Sequence, residues 1–187
     1  KKEHLIKKLS QENPEQLKAL KHLQDVSLIE NEKNLEQNNF KRIEAYDISH
    51  FSGKETYGSM VVVDFEGEYQ KNDYRLFKIK NNYLHDDFRA LAETLERRLK
   101  HKEWMYPDLF LIDGGRPQLD FLKEIFEKHK IKNVVGLSKF AGDEIIFLKN
   151  VDKKFKKEVL DIKLILLKAR DEAHRFANLA RKKAKKI

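Results

Sequence analysis

Apolar positions along this chain follow two rhythms, and the changes between them mark its elements. Ile43–Ile48 reads as a strand. Gly58–Phe65 is the strongest strand signal, because Val61, Val62 and Val63 are β-branched and stiff about χ1. Tyr74–Ile79 alternates apolar with basic residues, as a half-exposed strand does. The spacing predicts a three-stranded antiparallel meander with turns near Gly53 and Gly67. Asp86 and Asp87 open a helix through Leu99, with Arg97, Arg98 and Lys100 at its far end; that charge order complements the helix dipole. Asp108–Asp113 is a short apolar run ended by Gly114-Gly115, the pattern of a strand covered on both faces. Gln118–Lys130 reads as one amphipathic helix, with Leu119, Leu122, Ile125 and Phe126 on one side. Val134–Leu137 is a second buried strand, and Glu144–Leu148 a small added one. A last helix is expected over 160–185, with Leu160, Leu164, Leu167, Ala173 and Phe176 as its buried stripe.

The first forty residues differ in character. They are rich in Lys, Glu, Gln and Asn, and they carry a helical stripe at Leu5, Leu9, Leu17, Leu20 and Leu23, with Pro14 near a helix start. Asn31–Asn39 reads as a linker. The expected organisation is a helical extension over 1–40 and one α/β domain over 41–187. The order β-β-β-α-β-α-β is that of a ribonuclease-H-like mixed sheet, three antiparallel strands plus parallel ones, flanked by helices.

Composition narrows the chemistry. The chain has 187 residues, 40% hydrophobic and 37% charged, enough apolar content for a core. It has no cysteine, which excludes disulfides, thiolate metal sites and a cysteine nucleophile and fits a reducing compartment. No apolar run approaches the 18 residues a membrane span needs, so no membrane partner is expected. The chain opens at Lys1 without a signal-peptide pattern, and the missing initiator Met reads as a fragment or a processed chain. The net charge of +8 is unevenly placed. Residues 1–40 carry 7 basic and 7 acidic side chains, residues 41–150 carry 19 of each, and residues 151–187 carry 13 against 5. A basic block after a balanced domain points to an anionic partner such as nucleic acid; a solvated helix face explains it about as well.

Three residues carry the candidate chemistry. Asp47 ends an apolar strand and shares a face with Ile43 and Ala45. Asp113 ends a buried strand, where an unpaired acid is costly and where ligands of α/β sheets gather. Two such carboxylates repel, and a hard divalent cation, magnesium or manganese, removes the repulsion. Singly, each acid is more readily a turn or cap residue than a metal ligand. His174 follows Asp171 by three and Arg170 by four on the last helix, so Asp171 can orient its ring. A surface histidine beside an acid is the plainer account. Asp86 and Asp87 are further acids that helix capping explains equally well. His50 after Asp47 is either a supporting donor or a turn residue. Arg75 among aromatics, and Arg116, Arg170, Arg175, Arg181, Lys182 and Lys183, are the basic candidates for DNA contact, although half-buried strand packing is the simpler account of Tyr74, Arg75 and Phe77. No GK[ST] follows the glycine pair and no GxGxxG or GxSxG occurs, so no small-molecule cofactor is expected.

YDISH at Tyr46–His50, LIDGG at Leu111–Gly115 and RDEAHR at Arg170–Arg175 occur in this order. With YRLFKI at Tyr74–Ile79, DDF at Asp86–Phe88 and GLSK at Gly136–Lys139, they resemble the carboxyl-terminal endonuclease domain of the UvrC family of bacterial excision repair. The resemblance runs from about Lys8 to Lys186. It implies a ribonuclease-H-like fold and a catalytic set of Asp47, Asp113 and His174. It also implies magnesium or manganese at the two aspartates, a further acid at Asp86 or Asp87, and a cut 5′ of the lesion in damaged double-stranded DNA. The implied partner is a UvrB–DNA complex, and the implied location is the bacterial cytoplasm. Arg116-Pro117 replaces the family's usual Lys-Gly, keeping the charge on a stiffer loop. The GIY-YIG nuclease half, the UvrB-binding segment and the tandem helix–hairpin–helix domain of the family are missing from this sequence. Two other readings compete: a non-catalytic DNA-binding or scaffold module of the same fold, and another ribonuclease-H-like enzyme. Retention of all three groups speaks against the first. The histidine, in place of an all-carboxylate site, speaks against the second.

Overall fold

The computed structural model describes residues 40–51, 55–81, 83, 86–139 and 142–184. The leucine stripe of the first forty residues and the turn at Gly53 lie outside them. Six strands form one mixed sheet: β1 (Ile43–Phe51), β2 (Glu55–Val63), β3 (Arg75–Lys78), β4 (Leu109–Asp113), β5 (Val134–Ser138) and β6 (Glu144–Phe147). Their spatial order is β3-β2-β1-β4-β5-β6. The first three make the expected antiparallel meander. Strand β4 then lies parallel to β1, β5 lies parallel to β4, and β6 closes the edge antiparallel to β5. Strands β1, β4 and β5 therefore end on the same edge of the sheet.

Helix α1 (Asp87–Lys100) carries the chain from the meander to β4. Asp86 is its N-cap and accepts a hydrogen bond from the Arg89 amide at 3.0 Å, satisfying a donor the first turn would otherwise leave bare. The buried side chains of α1 are Ala90, Leu91, Thr94, Leu95 and Arg98. Thr94 presses on the backbone of β2: a Cβ built on Gly58 would stand 2.0 Å from Thr94 Oγ1. Glycine there lets the helix settle on the sheet. On this face Tyr46, Met60, Val62, Phe110, Ile112, Leu119 and Phe126 form a hydrophobic core. Burying each large apolar side chain contributes about 1.5–3 kcal/mol.

The expected helix over 118–130 is instead two, α2 (Arg116–Phe121) and α3 (Lys123–Lys128), with the break at Leu122. Hydrogen bonds from the Leu122 amide to the Gln118 carbonyl and from the Phe126 amide to the Leu122 carbonyl meet at the break, and Leu119, Leu122 and Phe126 are still buried. A helix the sequence pattern did not predict, α4 (Lys153–Asp161), precedes the expected last one, which is α5 (Lys163–Ala184); the two meet at Ile162. Leu160 and Leu164, expected inside, are 53% and 60% exposed. The buried stripe is rotated from the predicted one and runs through Ile162, Ile165, Leu166, Ala169, Ala173 and Ala177. Its alanines let α5 lie close against the opposite face of the sheet from α1.

A buried ionic cluster holds the other end of β1. Glu44 is fully buried. Arg98 donates to its two oxygens at 2.9 Å each, Arg42 donates at 3.0 and 3.1 Å, and Tyr46 donates its hydroxyl at 2.6 Å. Nothing in the local sequence announces it, because Arg98 lies 54 residues away. Phe40, at the edge of the described region, is buried and packs edge-on against Phe155 at 5.7 Å.

Candidate active site

Register explains why two aspartates meet. The parallel pairing of β1 with β4 aligns Ile43 with Leu109, Ala45 with Leu111, and finally Tyr46 with Ile112. Asp47 and Asp113 stand one step beyond the last pair. Alternation puts them on the same face as Ile43, Ala45, Leu109 and Leu111, the face α5 covers. Ser59, opposite Asp47 on β2, ties strand to helix: its buried hydroxyl lies 3.3 Å from the Asp47 carbonyl and 3.3 Å from that of Ala173. The residue after Ala173 is His174.

His174 Nδ1 stands 3.5 Å from Asp47 Oδ2. That is an ion-pair approach, not a hydrogen bond, and Asp47 Oδ2 has no hydrogen-bond partner among the described residues. The Asp47 side chain is only 10% exposed, whereas His174 is 57% exposed. Burial, and then the negative charge of Asp113, push the Asp47 carboxyl up to about 6. His174, Lys139 and the Ile48 amide pull in the other direction and do not win. Lys139 Nζ lies 3.5 Å from Asp113 Oδ2.

Asp47, Asp113 and Lys139, but not His174, line a cleft of about 640 Å³ at the carboxyl ends of the parallel strands. Asp47, Asp113, Arg116 and Lys139 border it, and so does Asp87. Gly115 leads into α2, where its amide donates to Gln118 Oε1 at 3.0 Å. Lys139 is not among the sequence-derived site candidates. Its only signal was membership of the GLSK segment.

The remaining candidates separate. Asp171 does not reach the ring of His174: it is 69% exposed and accepts from Arg170 at 2.8 and 3.0 Å. Arg170 is buried and also pairs with Asp143, so its guanidinium is committed to two carboxylates. Arg175 pairs with Glu172, which also accepts from the Tyr74 hydroxyl at 3.0 Å. Arg75 lies over the Trp104 ring, 4.7 Å from its centre, and does not border the cleft. The side chains of Arg181, Lys182 and Lys183 lie outside the described residues, although their backbone continues α5.

The donor set suits a hard cation. Asp47 offers a buried carboxylate oxygen without a hydrogen-bond partner, and a second carboxylate repels it across the strand ends; both features are relieved by a divalent ion with oxygen preference. Among the described residues no group of three or more His, Asp or Glu side chains is gathered closely enough to cage a metal, so water and substrate oxygens would have to complete such a shell.

A mixed sheet with two carboxylates at the ends of adjacent parallel strands, covered by helices on both faces, is a ribonuclease-H-like domain. Residues 31–178 match the family described as the UvrC RNase H endonuclease domain, and the chain belongs to it. UvrABC system protein C of Nitrosococcus oceani is 39% identical over 150 residues, covering 76% of this chain and 25% of that protein. The Hydrogenobaculum protein of the same name is 41% identical over 140 residues, covering 73% of this chain and 24% of its own length. The chain thus spans about a quarter of these relatives. A crystal structure of Ciona intestinalis endonuclease V aligns with 71% of this chain and 63% of its own at 15% identity and a TM-score of 0.40, too loosely to carry an argument. No helix among the described residues is long and apolar enough to cross a membrane.

Proposed function

We propose that this chain is the domain of a bacterial excision nuclease that cuts damaged double-stranded DNA 5′ of the lesion, with Asp47, Asp113 and His174 as its catalytic set. The observation that carries the reading is the pair of strand-end carboxylates in a family of endonuclease domains, one of them buried with an oxygen that lacks a hydrogen-bond partner. Asp47 and Asp113 would hold magnesium or manganese, which supplies a Lewis acid for the phosphate oxygens and a lowered pKa for a water. Asp47 and Asp113 fix where the scissile phosphate sits. Lys139 and Arg116 offset phosphate charge at the cleft wall, and the basic end of α5 extends the footprint. His174, exposed beside Asp47, is placed to exchange a proton with water. Arg170 is better read as a structural tie than as a DNA contact. The domain division at residue 40 is part of this proposal, as is a UvrB–DNA complex as partner through other parts of a longer protein. A scaffold that only binds DNA has no need for the orphaned Asp47 oxygen.

The test is incision of duplex DNA carrying one defined lesion, with the partner proteins of the repair complex present. Manganese-dependent cutting on the 5′ side, abolished by EDTA, is expected. Cutting that is unchanged in EDTA would reject the metal reading, and no cutting under any condition would favour the scaffold.

A further inference from the structure

His50 lies three residues past Asp47, so strand alternation turns it to the other face of β1, toward α1. There its Nε2 meets Asp87 Oδ1 at 2.6 Å, and its Nδ1 meets Thr56 Oγ1 at 2.9 Å. Carboxylate oxygens only accept, so Nε2 carries the proton in this pair. Asp87 is one of the residues bordering the cleft of Asp47 and Asp113. Its neighbour Asp86 is engaged differently. Asp86 caps α1 through the Arg89 amide, and its other oxygen pairs with Arg89 Nε at 3.3 Å. The two adjacent acids therefore divide the work: one finishes a helix, and the other faces the cleft under the hold of a histidine.

An acid at the first position of a helix normally has its side chain free to rotate in water. Fixing it takes a second group on a rigid element, and His50 at the end of β1 is such a group. The pair joins the strand that carries Asp47 to the helix wall that carries Asp87. We infer that His50 is a positioning residue, which holds the Asp87 carboxylate in the cleft as an acceptor for the water that would surround both the cation at Asp47 and Asp113 and the reacting phosphate. This rests on the proposed nuclease reading. The pair is half-exposed, at 32% and 56%, so a merely structural tie of this kind would show chiefly as a small change in melting temperature.

The experiment compares His50→Ala, His50→Gln, Asp87→Asn and the His50→Ala/Asp87→Asn double variant of the full chain. Incision rate with partner proteins, manganese affinity from the electron paramagnetic resonance signal of free ion, and melting temperature are measured for each. His50→Ala and Asp87→Asn should each slow incision roughly 10–100-fold and weaken manganese binding several-fold, with melting shifts under about 3 °C. The double variant should be no slower than Asp87→Asn alone, because both changes break one pair. His50→Gln, which keeps a donor at similar reach, should recover about tenfold of the rate. Multiplying losses in the double variant, or a His50→Ala protein with normal rate and manganese affinity, would overturn the inference while leaving the nuclease reading intact. A wild-type chain that neither binds manganese nor cuts would overturn both.

Discussion

Replacing Asp47 by Asn should make the metal-free protein more stable, and more so at higher pH. The carboxyl of Asp47 is pushed from 3.8 to about 6 by burial and by Asp113. The folded state therefore binds its proton more tightly than the unfolded chain does. The stability this proton lends is fully present below about pH 3.8 and is lost as pH rises through about 6. A shift of roughly two pH units costs about 3 kcal/mol once the group is fully ionised, and about 1.6 kcal/mol at pH 5. Asparagine keeps the shape, loses the charge and escapes this penalty. The stability gap between Asp47→Asn and wild type, from urea unfolding in EDTA, should thus widen by about 1.4 kcal/mol between pH 5 and pH 7.5. Saturating manganese should close or reverse the gap at pH 7.5, because the cation binds the folded wild type and no longer binds the variant well. A gap that stays constant or shrinks as pH rises would refute the argument, since it would mean Asp47 is not held against its charge.

Glu44→Gln should destabilise the fold by about 3–5 kcal/mol, because Arg42 and Arg98 lose the carboxylate charge they share; urea unfolding checks it. Gly136→Ala should weaken manganese binding and cost about 1–3 kcal/mol, since the new Cβ would stand 2.5 Å from the Gly114 carbonyl and displace the loop after Asp113; calorimetry and metal titration measure both. Neutralising Lys182 and Lys183 should weaken DNA binding and lower the slope of log affinity against log salt by about one per lost phosphate contact; an unchanged slope would make them a solvated helix end.

Much of the architecture was readable because it depends on local pattern. The valine run of β2 and the apolar run closed by Asp113 have few alternatives as strands, and the two aspartates follow from strand ends and alternation. The phase of the last helix was not readable. Leu160 and Leu164 look like core residues until the break at Ile162 turns the alanine stripe inward, and that choice is made by how closely α5 can approach the sheet. The buried charges were hidden for another reason. Arg170 looks like a DNA contact until Asp143 arrives from the loop before β6, and nothing near Glu44 in the sequence announces its partner Arg98, which comes from α1. Asp86 and Asp87 were indistinguishable because their roles depend on backbone direction at the helix start, which decides which one caps and which one meets His50.

The measurement that bears most directly on the account is incision of a single-lesion duplex by Asp47→Asn protein, purified free of other nucleases and shown to be folded. With manganese and the partner proteins present, the account predicts that 5′ incision falls by at least about 100-fold while DNA affinity holds or rises, because the cleft loses a cation ligand and a negative charge together. Cutting at the wild-type rate by that folded variant would contradict it.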